Sequence, residues 1–299
     1  MNNDIIFISI GNLVTDKIYD EKLNLIKKEG GGCNWNVLYN LAKLGEQCYA
    51  IGTCGIDSEG DIAVDSLKRV NVDTTYITRK NKSTDVISII IPAKKLGDNT
   101  VKHTVYDPFT GRKTISSQEN LLKRIPDELS DKQIYLILDK FYKVNYDFMT
   151  GIKNKTLCVD IGNEIYIKYF KGEYILKFLR QAKIVLLNKN VSKILFKKLN
   201  IENEIELFNL LNLDLFILTN GKKGAKFLYN ENGNIKIINK TPEIVRKIVD
   251  PSGAGDIFFA NFIKEYAYKN YIDEEFIDNT FRLANAASRE IIQQIGSRK

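Results

Sequence analysis

The chain has 299 residues, 44% hydrophobic and 27% charged, a balance that excludes disordered and fibrous classes and leaves room for one large α/β domain or two small ones. The net charge of +7 is carried largely by lysines scattered among isoleucine and asparagine. With no arginine cluster and no basic run interleaved with aromatics, this argues against a nucleic-acid partner and suits attraction of an anionic substrate such as a nucleotide.

Cys33, Cys48, Cys54 and Cys158 lack C-x-x-C spacing, and the single histidine, His103, leaves no zinc set. Free thiols in a reducing compartment are expected. Residues 1–12 lack a basic leader, a long apolar segment and a cleavage site, and no stretch reaches the roughly 18 apolar residues of a membrane span. A cytoplasmic protein with no membrane partner is expected.

Asp4–Ile10 reads as a first strand ending at Gly11. Asn34–Leu44 reads as a helix, with Asn34 as N-cap, apolar Val37, Leu38, Leu41 and Leu44 at helical spacing, and Gly45 as the stop. Gln47–Gly52 is then a strand and Ser58–Val70 a helix. Further on, Gln133–Leu138, Thr156–Val159, Ile184–Leu187 and Leu215–Thr219 are continuous apolar runs, as strands buried on both faces of a parallel sheet require. Helical patterns at 171–181, 190–198 and 203–211 separate them, and 254–268 and 273–293 close the chain as two helices. The alternation predicts a doubly wound, mostly parallel α/β sheet with helices on both faces. Segments 12–29 and 85–106 break that rhythm. In the second, Asp85–Ile91 and Thr100–Tyr106 flank the turn signal Lys95–Asn99, which predicts a hairpin, and the two segments are expected to form a small β-sheet lid. One domain over 1–299 with such a lid is preferred to two independent domains.

Two motifs carry chemistry. In Asp250-Pro-Ser-Gly-Ala-Gly-Asp256, a strand over Val245–Val249 is expected to run into a helix start built of small residues. Gly253, Ala254 and Gly255 can then present N–H groups to an anion at the positive end of a helix, and Asp256 beside them can take a proton from a hydroxyl. A tight turn with an aspartate cap is the competing reading. In Gly30-Gly-Gly-Cys-Asn-Trp-Asn36, three glycines permit close backbone approach and Asn36 can offer its amide to hydroxyls, against a flexible loop with an N-cap. A Walker A sequence and a complete G-x-G-x-x-G are both absent. His103 falls in the lid hairpin, where a lone histidine is structural or superficial. Trp35 is more often packing than a stacking platform.

In this order, with Gly52–Gly60, Asn71–Thr74 and Thr219–Ala225 between them, the motifs resemble the PfkB (ribokinase) family of carbohydrate and nucleoside kinases. The G-G-x-x-x-N pattern lies at Gly31, Gly32 and Asn36, with Leu44-Gly45 closing its helix; the D-T-x-G-A-G-D signature lies at Asp250 and Gly253–Asp256. The resemblance implies a ribokinase-like fold and transfer of the ATP γ-phosphoryl group to a hydroxyl of a small sugar or sugar derivative. Asp256 would be the base, with Gly253, Ala254 and Gly255 holding the transferring group. Asp16, Gly31, Gly32, Asn36 and Asp250 would bind substrate, and Asn188, Thr219, Gly221, Gly224 and Asn285 the nucleotide. The implied cofactors are ATP with Mg2+, and a monovalent cation as a further candidate; a homodimer through the lid is the implied partnership. Two departures stand out. Asn188-Lys-Asn-Val191 has valine where the family's N-x-x-E carries a magnesium-holding glutamate, so the metal ligands are unassigned, and Pro251 replaces a threonine. A nucleoside kinase of the same fold is the nearest alternative, and a catalytically weak pseudokinase that only binds ligand is the alternative Val191 motivates.

Overall fold

The computed structural model describes residues 4–92, 101–116, 124–162, 164–243, 245, 248–269 and 271–298. In chain order the strands are β1 (Ile5–Asn12), β2 (Val14–Tyr19), β3 (Leu25–Gly31), β4 (Cys48–Gly55), β5 (Ile77–Lys80), β6 (Asp85–Ile90), β7 (Lys102–Thr104), β8 (Gln133–Leu138), β9 (Lys155–Ile161), β10 (Ala182–Asn188), β11 (Leu215–Thr219), β12 (Ala225–Glu231) and β13 (Asn234–Lys240). The helices are α1 (Cys33–Lys43), α2 (Ser58–Lys68), α3 (Lys143–Thr150), α4 (Glu164–Tyr169), α5 (Gly172–Leu179), α6 (Lys189–Leu199), α7 (Glu204–Leu211), α8 (Ala254–Lys269) and α9 (Glu274–Ile291).

Nine strands form one sheet in the order β13-β12-β11-β10-β9-β8-β1-β4-β5, parallel throughout except for the last two antiparallel pairings at the β13 edge. The continuous apolar runs explain why helices cover both faces. With a period of two, Phe7, Tyr135, Ile137, Ile184 and Leu186 enter the core beneath α1, α2, α8 and α9, while Ile6, Ile8, Leu136, Val185 and Leu187 enter the opposite core beneath α3 and α5–α7. The fold is thus the doubly wound α/β architecture expected. Unanticipated are β5, the β12–β13 hairpin, and the short α3 and α4. The hairpin's outer strand is a lysine-bearing edge with most of its side chains in solvent, so it lacks the buried apolar run used to find the other strands.

A second sheet of four strands has the order β3-β2-β6-β7. It joins segments 12–29 and 85–106: β2 pairs antiparallel with β3 (Asp16 opposite Glu29) and parallel with β6 (Asp16 opposite Ile87), and β6 pairs antiparallel with β7 (Ile89 opposite His103). The turn expected at 95–99 lies outside the described residues.

Two local expectations need correction. Asn34 is not the N-cap of α1; Gly32, at φ 87°, starts that helix, and Asn34 turns inward to donate to Ser9 Oγ at 2.8 Å and to the Ile10 carbonyl at 3.0 Å. The strand expected over 245–249 does not form at its described residues, Val245, Ile248 and Val249, and the Val249 N–H donates to the Ile292 carbonyl at 2.8 Å.

Candidate active site

In a parallel sheet the strands end on the same side, and ligands bind in the crevice beyond their carboxyl ends. Asn12, Asp139, Asp160, Asn188 and Thr219 stand at or just past the ends of β1, β8, β9, β10 and β11. Above them lies a cavity of about 190 Å³. The lining runs from the second sheet and the residue after it, with Asp16, Ile87, Ile89, His103 and Val105, to the side of β10 and β11, with Leu186, Asn188 and Thr219. Gly253, Gly255 and Asp256 at the start of α8, and Asn36 in the first turn of α1, complete the wall. Helices α1, α6 and α8 all begin at this cavity, so three positive helix ends converge on it. Asn188 caps α6 by accepting from the Asn190 and Val191 N–H groups.

Asp256 is buried, and Asn36 Nδ2 donates to its Oδ2 at 2.8 Å. Burial pushes its carboxyl up to about 6, and the Asp139 charge adds to the rise, while the Asn36 hydrogen bond and the Arg298 guanidinium oppose it. A carboxylate in that range is ionised at neutral pH yet basic enough to accept a proton from a reacting hydroxyl. Asp16 is pushed further, to about 8, by burial and then by the Glu29 carboxylate, against the pull of Arg298. Its Oδ1 has no hydrogen-bond partner. Asp160 is raised well above the carboxylate range by burial and by the charges of Asp256 and Asp139, and its Oδ1 also lacks a partner.

The glycines have more specific reasons than general openness. A Cβ at Gly31 would sit 2.0 Å from the Asp16 carboxyl, and one at Gly30 would sit 2.1 Å from Arg298 Nη1; one at Gly253, itself at φ 79°, would fall 2.6 Å from Ser297 Cβ. These three make room for the protein's own side chains. Gly255 alone among the glycines of Asp250–Asp256 has open space where a Cβ would stand; it lines the cavity, and its N–H belongs to the first turn of α8, which has no partner within the helix. The Ala254 N–H is turned back to the Pro251 carbonyl at 3.3 Å.

Of the residues picked out in the sequence, Asp16, Gly32, Asn36, Asn188, Thr219, Gly253, Gly255 and Asp256 line the one cavity; Gly31, Asp250, Ala254, Gly221, Gly224 and Asn285 do not. Asp250 is fully buried, and its two carboxylate oxygens accept from the Ser252 and Gly296 N–H groups, each at 2.9 Å. Gly221, at φ 52°, and Gly224, at φ 92°, shape the turn after β11, and Asn285 lies half-buried on α9. Trp35 is a core side chain donating its indole N–H to the Asn12 carbonyl at 2.8 Å. His103, read as structural or superficial, lines the cavity from β7 of the second sheet.

Missed altogether were Asp160, Asp139, Ser297 and Arg298. The two aspartates follow apolar strand runs at a parallel sheet's carboxyl edge, and that placement could have flagged them. Nothing in the sequence signals Arg298.

Val191 is buried within the apolar core between the sheet and α6, and it offers no ligand. Among the described residues no three His, Cys, Asp or Glu side chains cluster closely enough to hold a metal unaided. Magnesium commonly needs only one or two carboxylates beside substrate phosphates, and Asp160, a residue of the cavity wall with its buried Oδ1 unpartnered, fits that demand. No helix among the described residues is long and apolar enough to cross a membrane.

Comparison with known proteins places the chain among kinases. The model of the pfkB family of carbohydrate kinases matches residues 8–125 and 143–299. An ATP-dependent 6-phosphofructokinase of Thermoanaerobacterium thermosaccharolyticum is 24% identical over 297 residues, covering 92% of this chain and 87% of that one. The fold is shared with a Vibrio cholerae fructokinase solved with fructose, ADP and calcium (TM-score 0.73, 17% identity, 99% of this chain and 95% of that one). It is shared also with the nucleoside kinase of Methanocaldococcus jannaschii (TM-score 0.71, 17% identity, 98% and 93%).

Proposed function

The chain belongs to the pfkB family of carbohydrate kinases, and within that family we propose that it transfers the γ-phosphoryl group of ATP to a hydroxyl of a small sugar or sugar derivative, with Asp256 as the base. The observation that carries this reading is the position of Asp256: buried, held by Asn36, at the N-terminus of α8, and lining the same cavity as Asp16 and Thr219.

The acceptor would lie under the lid, its hydroxyls on Asp16 and its less polar face on Ile87, Ile89 and Val105, within reach of His103. The nucleotide would lie along Asn188 and Thr219. Asp256 takes the proton of the attacking hydroxyl as its oxygen bonds to the γ-phosphorus, and the bond to the β–γ bridging oxygen breaks to release ADP. The Gly255 N–H and the positive end of α8 stabilise the charge on the transferring group, so most of the catalysis is positioning and fixed electrostatics. Magnesium, held by Asp160 and the phosphates, would neutralise phosphate charge when bound. A homodimer through the lid belongs to the same proposal; Leu25 and Ile26 stand 48% and 45% exposed on its edge strand β3.

A nucleoside acceptor is the second reading, favoured by the apolar lid wall, which could cover a planar base. The relatives lend no support to a chain that kept the fold and lost turnover. A thermal-shift screen of neutral sugars, sugar phosphates and nucleosides, each with and without Mg-ATP, separates the acceptor classes, because a ligand that binds only the folded state raises its melting temperature. A rise confined to nucleosides would overturn the sugar reading.

A further inference from the structure

We propose that Arg298 is a positioning residue: its guanidinium fixes the side-chain amide of Asn36 so that the NH2 group faces the Asp256 carboxylate. The role rests on Asp256 being the base, as proposed above, but the geometry stands by itself. Arg298 is buried, and its Nε donates to Asn36 Oδ1 at 2.9 Å. An arginine only donates, so the amide must present its oxygen to Arg298, and its nitrogen then turns to Asp256 Oδ2 at 2.8 Å. Without the guanidinium only the Asp256 carboxylate orients the amide, whose buried oxygen loses its donor, so the side chain is held at one end instead of two.

The guanidinium is held on every side. Nη1 donates to Ser66 Oγ at 2.5 Å, Nη2 to the Gly31 carbonyl at 3.3 Å, and the Tyr39 ring centroid lies 5.2 Å from Cζ. Gly30 leaves the hole it fills, since any Cβ there would overlap both Nη1 and Ser66 Oγ. The backbone carrying it is pinned as well. The Gly296 N–H donates to Asp250 Oδ2 at 2.9 Å, Ser297 donates its N–H (2.5 Å) and hydroxyl (3.1 Å) to Glu29 Oε1, and the Arg298 carbonyl accepts from Lys27 Nζ at 3.1 Å. Both motifs read from the sequence therefore close on this segment: Asp250 and Gly253 from one, Gly30, Gly31 and Asn36 from the other. The Glu29 carboxylate lies close to the charge, which stays protonated although burial lowers it to about 10.

The test is an 15N–1H spectrum of the side-chain amides in the full chain, with the Asn36 pair assigned by its loss in Asn36→Ala, beside steady-state kinetics. Arg298→Met is expected to move the Asn36 pair to the position of solvent-exposed asparagines. With an acceptor the wild type uses, kcat should fall about 100-fold while KM for ATP stays within about twofold. An unmoved Asn36 pair and an unchanged kcat in folded Arg298→Met would overturn the proposal. Should that variant fail to fold because Glu29 loses its counter-charge, Arg298→Lys takes its place. Lysine keeps the charge but cannot reach Asn36, Ser66 and Gly31 together, so the same displacement is expected, and retention of both signals would overturn it. If the wild type consumes no ATP with any acceptor, the kinase reading fails, and the amide spectrum still decides the role of Arg298.

Discussion

Asn36 and Asp256, 220 residues apart in the chain, meet through one hydrogen bond of 2.8 Å from Nδ2 to Oδ2. That contact joins the first turns of α1 and α8, and it is where the two sequence motifs become one site. A donor to the ionised form lowers a carboxyl's pKa, so Asn36 works against the burial that lifts Asp256 to about 6. The rate of ATP consumption is accordingly expected to rise with pH through about 6, as the base loses its proton. In Asn36→Leu the acidic limb should move to higher pH, read from the pH profile of kcat/KM. A limb that stays put would remove Asn36 from the tuning of the base.

Asp16 makes a prediction about stability. Its carboxyl titrates near 8 in the folded chain and near 3.9 unfolded, so between those values the native state holds a proton that the unfolded state has lost. This contribution is complete below about pH 4 and disappears as pH rises through about 8. Asp16→Asn cannot titrate, and its melting temperature relative to wild type should climb between pH 5 and pH 8. A constant difference across that range would contradict the raised pKa.

Asp160 bears on the metal. In Asp160→Asn the concentration of Mg2+ giving half-maximal ATP consumption is expected to rise roughly tenfold or more, as the loss of a metal-orienting group does elsewhere. Titrating Mn2+ by paramagnetic resonance in the presence of ATP reads the same affinity without turnover. Equal affinities for wild type and variant would place the ion elsewhere.

Gly31 tests the packing beneath the acceptor. A methyl group there falls 2.0 Å from the Asp16 carboxyl. Gly31→Ala is expected to cost about 1–3 kcal/mol in urea denaturation and to raise KM for the acceptor more than for ATP. A variant as stable as wild type, with both constants unchanged, would show that Asp16 moves aside freely.

The doubly wound sheet was legible because buried parallel strands write continuous apolar runs, as Gln133–Leu138 and Leu215–Thr219 do, bounding their strands to the residue. The β12–β13 edge was not, since a half-solvated hairpin with Asn230–Asn234 at its tip carries no such run. Asn36 and Asp256 were legible as motif residues and Asp16 through the family resemblance, and all three line the one cavity. Arg298 was not, because its role depends on a cavity left by Gly30 and on acceptors from β3, α1 and α2, none near it in sequence. Trp35 was legible as well: a helix-start aromatic is more often packing than a stacking platform, and its indole is spent on Asn12 inside the core.

The measurement closest to the centre is ATP consumption by wild type and Asp256→Asn across neutral sugars, sugar phosphates and nucleosides. Removing a general base costs about 10² to 10⁴-fold, so with at least one acceptor the wild type should exceed the variant by that margin while both bind ATP alike. Equal background rates in the two proteins with every acceptor would contradict a phosphoryl transfer that runs through Asp256.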